Sequence, residues 1–212
     1  MALTRRPSAG RPAVFLDKDG TVVENVPYNV DPALLRFTPG AIEGLQLLAD
    51  AGFRLVMITN QPGVALGLFD EAALVRLQHA LADKLAQHGI PLEGFYACTH
   101  APALDPSRPA CACRKPAPGL LLRAAEELEL DLERSWMVGD ILDDVEAGRR
   151  AGCRTVMLDV GNETVWRTSP WRTPDHRAGD LWEAACRIVE QSGPDLRPAP
   201  RRRAADVVAA RS

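Results

Sequence analysis

Two aspartates separated by a single residue follow a short apolar run near the start of the chain. The run 13–16 predicts a buried strand, and Asp17 and Asp19 come directly after it. Asp is depleted in strands, and an unpaired carboxylate is costly where water is scarce. An Asp-rich turn would explain the pair simply. Because these unfavourable residues stand at a strand end, we interpret the pair instead as part of a chemical site.

Polar residues also end the later apolar runs. They are Thr59, Asn60 and Gln61 after the second run, Cys98 and His100 after the third, and Asp140 after the fourth. Helical patterns alternate with these runs, which predicts an α/β fold with a mostly parallel sheet and helices on both faces. Ligands bind beyond the carboxyl ends of such strands. We therefore expect these side chains to meet at one edge of the sheet.

The residue types in these positions suit phosphoryl transfer. Converging carboxylates of Asp17, Asp19 and Asp140 repel one another unless a cation neutralises them, and oxygen ligands of this kind suit Mg²⁺. One carboxylate could attack phosphorus as a nucleophile, and its partner two residues on could donate and later accept a proton. Thr59 could hold a phosphate oxygen through its hydroxyl. Lys115 could neutralise charge on the transferring group.

Each of these residues also has a simpler structural role open to it. Thr59 could belong to a plain turn, and Lys115 could be a solvated surface lysine. Acidic residues at a helix start favour the helix dipole, which alone would account for Asp143 and Asp144. Asp144 shares a helix-like face with Asp140, so we assign Asp144 to the site and Asp143 to the surface.

Three cysteines and one histidine form a second cluster in the sequence. Cys98, His100, Cys111 and Cys113 could supply a complete tetrahedral ligand set for zinc. A closed set leaves no free coordination position, which indicates a structural metal that folds a proline-rich loop. The alternative is a group of buried or reactive thiols.

The motifs together resemble those of the haloacid dehalogenase (HAD) superfamily. They match its four motifs in order, as Asp17-Lys18-Asp19-Gly20-Thr21, Thr59-Asn60-Gln61, Lys115, and Gly139-Asp140 with Asp144. The resemblance implies a Rossmann-like core with Asp17 as nucleophile and Asp19 as general acid and base. It also implies Mg²⁺ held by Asp17, the main-chain carbonyl of Asp19 and Asp140, with Asp144 in support.

Further motifs narrow the resemblance to one branch of the superfamily. Thr-Asn-Gln-Pro-Gly, Cys-x-His and Cys-x-Cys-Arg-Lys-Pro resemble the D-glycero-D-manno-heptose-1,7-bisphosphate 7-phosphatases and the histidinol-phosphate phosphatases. There a zinc loop takes the place of a large cap domain, so the chain is expected to be capless. The resemblance implies substrate contacts from Asn60, Gln61 and Arg114. The chain has Leu66 where the heptose enzymes usually carry a basic residue.

The resemblance implies a Mg²⁺-dependent phosphatase that forms an aspartyl-phosphate. The expected substrate is the 7-phosphate of D-glycero-D-manno-heptose 1,7-bisphosphate, with histidinol phosphate as the alternative. Two other classes stay open, a phosphatase of nucleic-acid 3'-ends and a zinc-stabilised binding module without activity. The net charge of −3 argues against nucleic acid as a partner.

Composition and patterning set the wider expectations. The chain has 212 residues and is 46% hydrophobic, and no apolar run approaches the roughly 20 residues of a membrane span. We expect a cytoplasmic monomer that acts on a small phosphorylated metabolite, with no membrane or nucleic-acid partner. Residues 1–12 are expected to be a flexible tail, 13–192 the phosphatase domain with the zinc loop at about 98–113, and 193–212 a disordered tail. The stretch 161–179 has no regular pattern, and we predict irregular structure there.

Overall fold

The computed structural model describes residues 10–103 and 111–193. Most of the two predicted tails and the middle of the loop between Cys98 and Cys111 lie outside these residues. Arg11 lies within the predicted N-terminal tail, and its backbone forms hydrogen bonds with the backbones of Glu129 and Asp131.

The described chain contains six strands and five α-helices, which alternate except that the last two strands follow one another without an α-helix between them. The strands are β1 (Ala13–Leu16), β2 (Arg54–Asn60), β3 (Gly94–Cys98), β4 (Trp136–Gly139), β5 (Arg154–Leu158) and β6 (His176–Ala178). The helices are α1 (Ala41–Asp50), α2 (Glu71–Gln87), α3 (Gly119–Glu127), α4 (Leu142–Ala151) and α5 (Leu181–Ser192). None of the helices in the described ranges has the length and apolar content needed to cross a bilayer.

The strands form one parallel sheet in the order β3-β2-β1-β4-β5-β6. The chain order reverses beside β1, which places a switch point between β1 and β4. Leu16 pairs with Met57 on one side and with Val138 on the other. The residues that follow these three positions therefore emerge together at one edge of the sheet.

Alternating side chains of the central strands pack into two separate hydrophobic cores, one on each face of the sheet. Val14 and Leu16 face one core, which α1, α2 and α5 cover. Ala13 and Phe15 face the other, which α3 and α4 cover. This arrangement follows from the period of two along a strand, and it explains why the central strands are apolar throughout. The predicted α/β fold with helices on both faces is confirmed.

The structure corrects one prediction. β6 lies inside the stretch 161–179, which was predicted to be irregular. Its three residues are too few to show alternation, and pairing with β5 holds them in place. Asp70 is the N-cap of α2, and its carboxylate accepts a hydrogen bond from the Ala73 backbone N–H at 2.7 Å.

Candidate active site

Lys115 links two buried carboxylates at the carboxyl edge of the sheet. Its Nζ lies 2.5 Å from Asp17 Oδ1 and 2.6 Å from Asp144 Oδ1, and it donates to the Ile58 carbonyl oxygen at 3.0 Å. Only 3% of Lys115 is exposed. Burial opposes its charge, but the carboxylates of Asp144 and Asp17 outweigh burial and raise the pKa of Lys115. The residue is therefore a fixed cation beside Asp17.

Asp140 completes a group of three carboxylates around this lysine. Oxygens of Asp17, Asp140 and Asp144 all lie within 4.8 Å of one another, and all three residues are buried. Burial, followed by the charge of Asp17, raises the pKa of Asp140 to about 6. Burial also raises the pKa of Asp144, although Lys115 opposes the shift.

The charge of this cluster suits a divalent cation. Three carboxylates against one ammonium leave an excess of two negative charges when all are ionised, in a region with little water. Hard oxygen donors of this kind are the ligands that Mg²⁺ takes. The donor set therefore fits the magnesium ion that the sequence predicts.

Asp19 lies on the side of the site nearest β2. Lys18 Nζ is 2.6 Å from Asp19 Oδ1, and Gln61 Nε2 donates to Asp19 Oδ2 at 2.9 Å. The same Gln61 nitrogen donates to Thr59 Oγ1 at 3.0 Å. Burial raises the pKa of Asp19, while the Lys18 ammonium opposes the shift. A raised pKa favours the protonated carboxyl that a general acid needs.

Asn60 holds the backbone of Lys115. Its Nδ2 donates to the Lys115 carbonyl oxygen and its Oδ1 accepts from the Lys115 backbone N–H, both at 3.1 Å. Asn60 is the last residue of β2, so this pair ties the loop that carries Lys115 to the sheet. Substrate contact was expected from Asn60 and from Gln61. The contacts described here are made within the protein.

Arg114 differs from Lys18 and Lys115, which are both paired with carboxylates. Its Nη1 is buried and has no hydrogen-bond partner within residues 10–103 and 111–193. A buried guanidinium nitrogen without a partner is costly and calls for an acceptor. An anionic substrate group would supply one.

The predicted zinc ligands form one compact cluster. Cys98 Sγ lies 3.6 Å from Cys111 Sγ and 3.3 Å from Cys113 Sγ, and the last two are 3.2 Å apart. His100 Nδ1 lies 3.5 Å from Cys98 Sγ and 3.1 Å from Cys113 Sγ. A disulfide needs about 2.05 Å, and all of these cysteines are free.

The cluster has the size of a tetrahedral metal site. Zinc–sulfur bonds of about 2.3 Å place two ligand sulfurs roughly 3.8 Å apart. Burial opposes ionisation of Cys111, but hydrogen bonds from Cys113 and the Arg114 backbone lower its pKa to about 7. Burial raises the pKa of Cys98 and of Cys113, so a bound cation would be needed to keep all three thiols as thiolates. The three sulfurs and the imidazole nitrogen form a donor set that fits zinc.

Three residues of the site had no role assigned from the sequence. Lys18 pairs with Asp19, as described above. Thr21 Oγ1 donates to Asp140 Oδ1 at 3.3 Å, and Asn162 Nδ2 donates to Asp140 Oδ2 at 2.7 Å. Lys18 and Thr21 lie within the first motif. The one signal for Asn162 was its place after the carboxyl end of the fifth strand.

Comparisons with known proteins identify the class to which this fold and site belong. The HAD-hydrolase-like family model matches residues 112–184. The chain is 40% identical over 175 residues to D-glycero-beta-D-manno-heptose-1,7-bisphosphate 7-phosphatase of Photorhabdus laumondii, covering 81% of this chain and 89% of the relative. The enzyme of that name from Escherichia coli K12 is 37% identical over 173 residues, which cover 81% and 87% of the two chains. The chain belongs to the family of these HAD-superfamily phosphatases.

A solved structure supports the same relationship. The D,D-heptose 1,7-bisphosphate phosphatase of B. bronchiseptica, in complex with magnesium and phosphate, matches with a TM-score of 0.70 and 29% identity. The match covers 85% of this chain and 99% of that one. The predicted resemblance to this superfamily and to its phosphatases is confirmed, and the chain is a phosphoric monoester hydrolase by family.

Proposed function

We propose that this protein is a Mg²⁺-dependent phosphatase that removes the 7-phosphate of D-glycero-D-manno-heptose 1,7-bisphosphate through an aspartyl-phosphate. The observation that carries the proposal is the buried arrangement of Asp17, Asp140 and Asp144 around Lys115. The relatives that bear this name, at 37–40% identity, support the choice of substrate.

In the first step Asp17 attacks phosphorus. Its Oδ1 is held by Lys115, and that contact fixes the orientation of the carboxylate from which the attack is made. The bond from phosphorus to the sugar oxygen breaks while a bond from Asp17 to phosphorus forms. Asp19 donates its proton to the departing oxygen, and the raised pKa of Asp19 suits this role.

In the second step water releases the phosphate. Asp19, now ionised, accepts a proton from a water molecule that attacks phosphorus. The bond between phosphorus and Asp17 breaks, and both carboxyl groups return to their starting states. Gln61 and Lys18 hold Asp19 on either side, so a single carboxyl is oriented for both proton transfers.

Magnesium would be held by Asp17, the main-chain carbonyl of Asp19 and Asp140, with Asp144 in support through Lys115. When bound, the ion neutralises charge on the phosphoryl oxygens and lowers the repulsion between Asp17 and an anionic substrate. Thr59 and Lys115 supply the remaining contacts to those oxygens. The hydroxyl of Thr59 is held by Gln61, which limits its rotation.

Arg114 is the proposed contact to the rest of the substrate. Its buried Nη1 has no hydrogen-bond partner among the described residues, and the residue stands in the sequence between the proposed zinc ligand Cys113 and Lys115. Zinc held by Cys98, His100, Cys111 and Cys113 would fix the backbone from which Arg114 extends. In this proposal the zinc has a structural role only.

Asn60 and Gln61 take a revised place in the proposal. Their amides are engaged with Lys115, Asp19 and Thr59. These contacts support a positioning role in the free enzyme. Substrate contact from either side chain would require these hydrogen bonds to be shared or exchanged.

A substrate panel tests the function. Phosphate release is measured from both anomers of heptose 1,7-bisphosphate, from histidinol phosphate and from an oligonucleotide 3'-phosphate, and the substrates are ranked by kcat/KM. We expect a heptose bisphosphate to rank first and turnover to require Mg²⁺. A first rank for histidinol phosphate or the oligonucleotide would overturn the substrate assignment.

The variant Asp17→Asn tests the nucleophile. We expect a loss of roughly 10³-fold or more in kcat, the size seen when a nucleophile is removed. Asp143→Asn is the matched control, because Asp143 lies beside Asp144 but pairs with Arg172 outside the cluster. Wild-type turnover in Asp17→Asn would exclude Asp17 as nucleophile. No Mg²⁺-dependent release from any ester would favour a binding module.

A further inference from the structure

A side chain outside the four motifs contacts one of the proposed magnesium ligands. Asn162 lies in the segment after β5, 22 residues beyond Asp140 in sequence. Its Nδ2 donates to Asp140 Oδ2 at 2.7 Å. Because a carboxylate only accepts hydrogen bonds, the amide nitrogen rather than the amide oxygen must face it. Thr21 donates to the other oxygen at 3.3 Å, so both oxygens of Asp140 are oriented by neighbours.

The backbone at Gly20 makes room for this contact. A Cβ atom at Gly20 would overlap Asp140 Oδ2 and Asn162 Nδ2. Gly20 also has φ of +85°, a conformation that other residues rarely adopt. The missing side chain therefore permits the amide and the carboxylate to meet above the first motif.

The segment that carries Asn162 is itself anchored. Glu163 Oε2 accepts a hydrogen bond from the Leu142 backbone N–H at 2.8 Å, and Glu163 Oε1 accepts from the Val165 backbone N–H at 2.8 Å. Leu142 is the first residue of α4. The N-cap residue of this helix is Ile141, whose apolar side chain makes no capping hydrogen bond. Glu163 thus attaches the segment to the start of the helix that carries Asp144.

We propose that Asn162 positions Asp140 for Mg²⁺, an inference that rests on the magnesium site proposed above. The amide holds one carboxylate oxygen in place, and the other oxygen is left with the weaker, longer bond from Thr21. Groups that orient metal ligands in this way change metal affinity by roughly 10- to 100-fold when they are removed. Asn162 is exposed, so its replacement leaves the two cores intact.

Calorimetric titration with Mg²⁺ alone tests the inference. Wild type and Asn162→Ala are compared in buffer without chelator, which leaves bound zinc in place. We expect the Kd for Mg²⁺ to rise about tenfold or more in the variant. Asn162 and Asn25 both line a cavity of about 340 Å³, and both are exposed. Asn25→Ala is the matched control, because Asn25 makes no hydrogen bond to Asp140 among the described residues. Its Kd is expected to stay within about twofold of wild type.

Turnover separates positioning from a general structural effect. In Asn162→Ala the Mg²⁺ concentration for half-maximal rate should rise by the same factor as the Kd. At saturating Mg²⁺, kcat and the KM for the phosphate ester should return to within about twofold of wild type. An unchanged Kd, or a loss of kcat that saturating Mg²⁺ does not restore, overturns the role of Asn162. Failure of the wild type to bind Mg²⁺ overturns the proposed magnesium site itself.

Discussion

Replacing Lys115 by methionine tests the electrostatic design of the site. Methionine keeps much of the length of the side chain but removes the charge that contacts Asp17 at 2.5 Å and Asp144 at 2.6 Å. At an effective dielectric constant of about 20, each pair has a Coulomb attraction of about 6 kcal/mol. Desolvation of the ions offsets much of this gain. Removal of one partner from a buried pair nevertheless costs about 3–5 kcal/mol, because the other charge is left uncompensated.

A double variant isolates this effect from loss of packing. Without Lys115 the three carboxylates of the cluster repel one another, so replacing one of them should recover part of the loss. We expect Lys115→Met to lower the free energy of unfolding by about 3–5 kcal/mol. Lys115→Met with Asp144→Asn should be more stable than the sum of the single variants predicts, by about 1–3 kcal/mol.

Urea unfolding in Mg²⁺-free buffer measures these free energies. No chelator is added, because it would also remove the proposed zinc. Lys84→Met, in the last turn of α2, is the matched control, since Lys84 makes no ion pair among the described residues. Its effect should stay below about 1 kcal/mol. Additivity of the two variants to within about 0.5 kcal/mol would refute the charge coupling.

Three further predictions follow from the site. First, the pKa of Asp140, raised to about 6 by burial and by Asp17, means that a proton competes with Mg²⁺ below pH 6. The Kd from calorimetry should rise about tenfold per pH unit below 6 and level off above it, and the same proton should stabilise the Mg²⁺-free protein as pH falls towards 4. A Kd that is constant from pH 5 to 7.5 would contradict this assignment. Second, Cys111→Ser should lower bound zinc from about one equivalent per chain, as measured by elemental analysis, whereas Cys186→Ser, on α5 outside the cluster, should not. Equal zinc in both variants would exclude Cys111 as a ligand. Third, Leu66 is 48% exposed in the loop after β2, and Leu66→Arg should lower the KM for a bisphosphate about 2- to 5-fold with no change for a monophosphate. An equal change for both esters would show that position 66 does not read the second phosphate.

The residue types at the strand ends were enough to predict which side chains the sheet brings close together. Each apolar run is short and ends in polar residues, and parallel strands deliver their carboxyl ends to one edge. Asp17 and Asp140 could be placed together on that basis, and the structure brings them within 4.8 Å. The residue types of three cysteines and one histidine predicted the second cluster, and its four donor atoms lie within 4.8 Å of one another.

Local patterns could not predict side-chain pairs between distant segments. Asn60 lies 55 residues before Lys115. Its hydrogen bonds to the Lys115 backbone depend on how the fold places the loop that carries Lys115 against the end of β2. Strand β6 was missed because such a short edge strand exists only through its pairing with β5.

The sequence by itself determined the class of the protein, because the apolar runs define the sheet and the motif residues define the chemistry. Tertiary structure alone decided which groups hold those residues in place. Lys18 turns to Asp19, Gln61 joins Asp19 to Thr59, and Asn162 reaches Asp140. The physical reason is that a hydrogen bond requires two atoms about 3 Å apart. Spacing along the chain does not set that distance, but the packing of helices and loops around the sheet does.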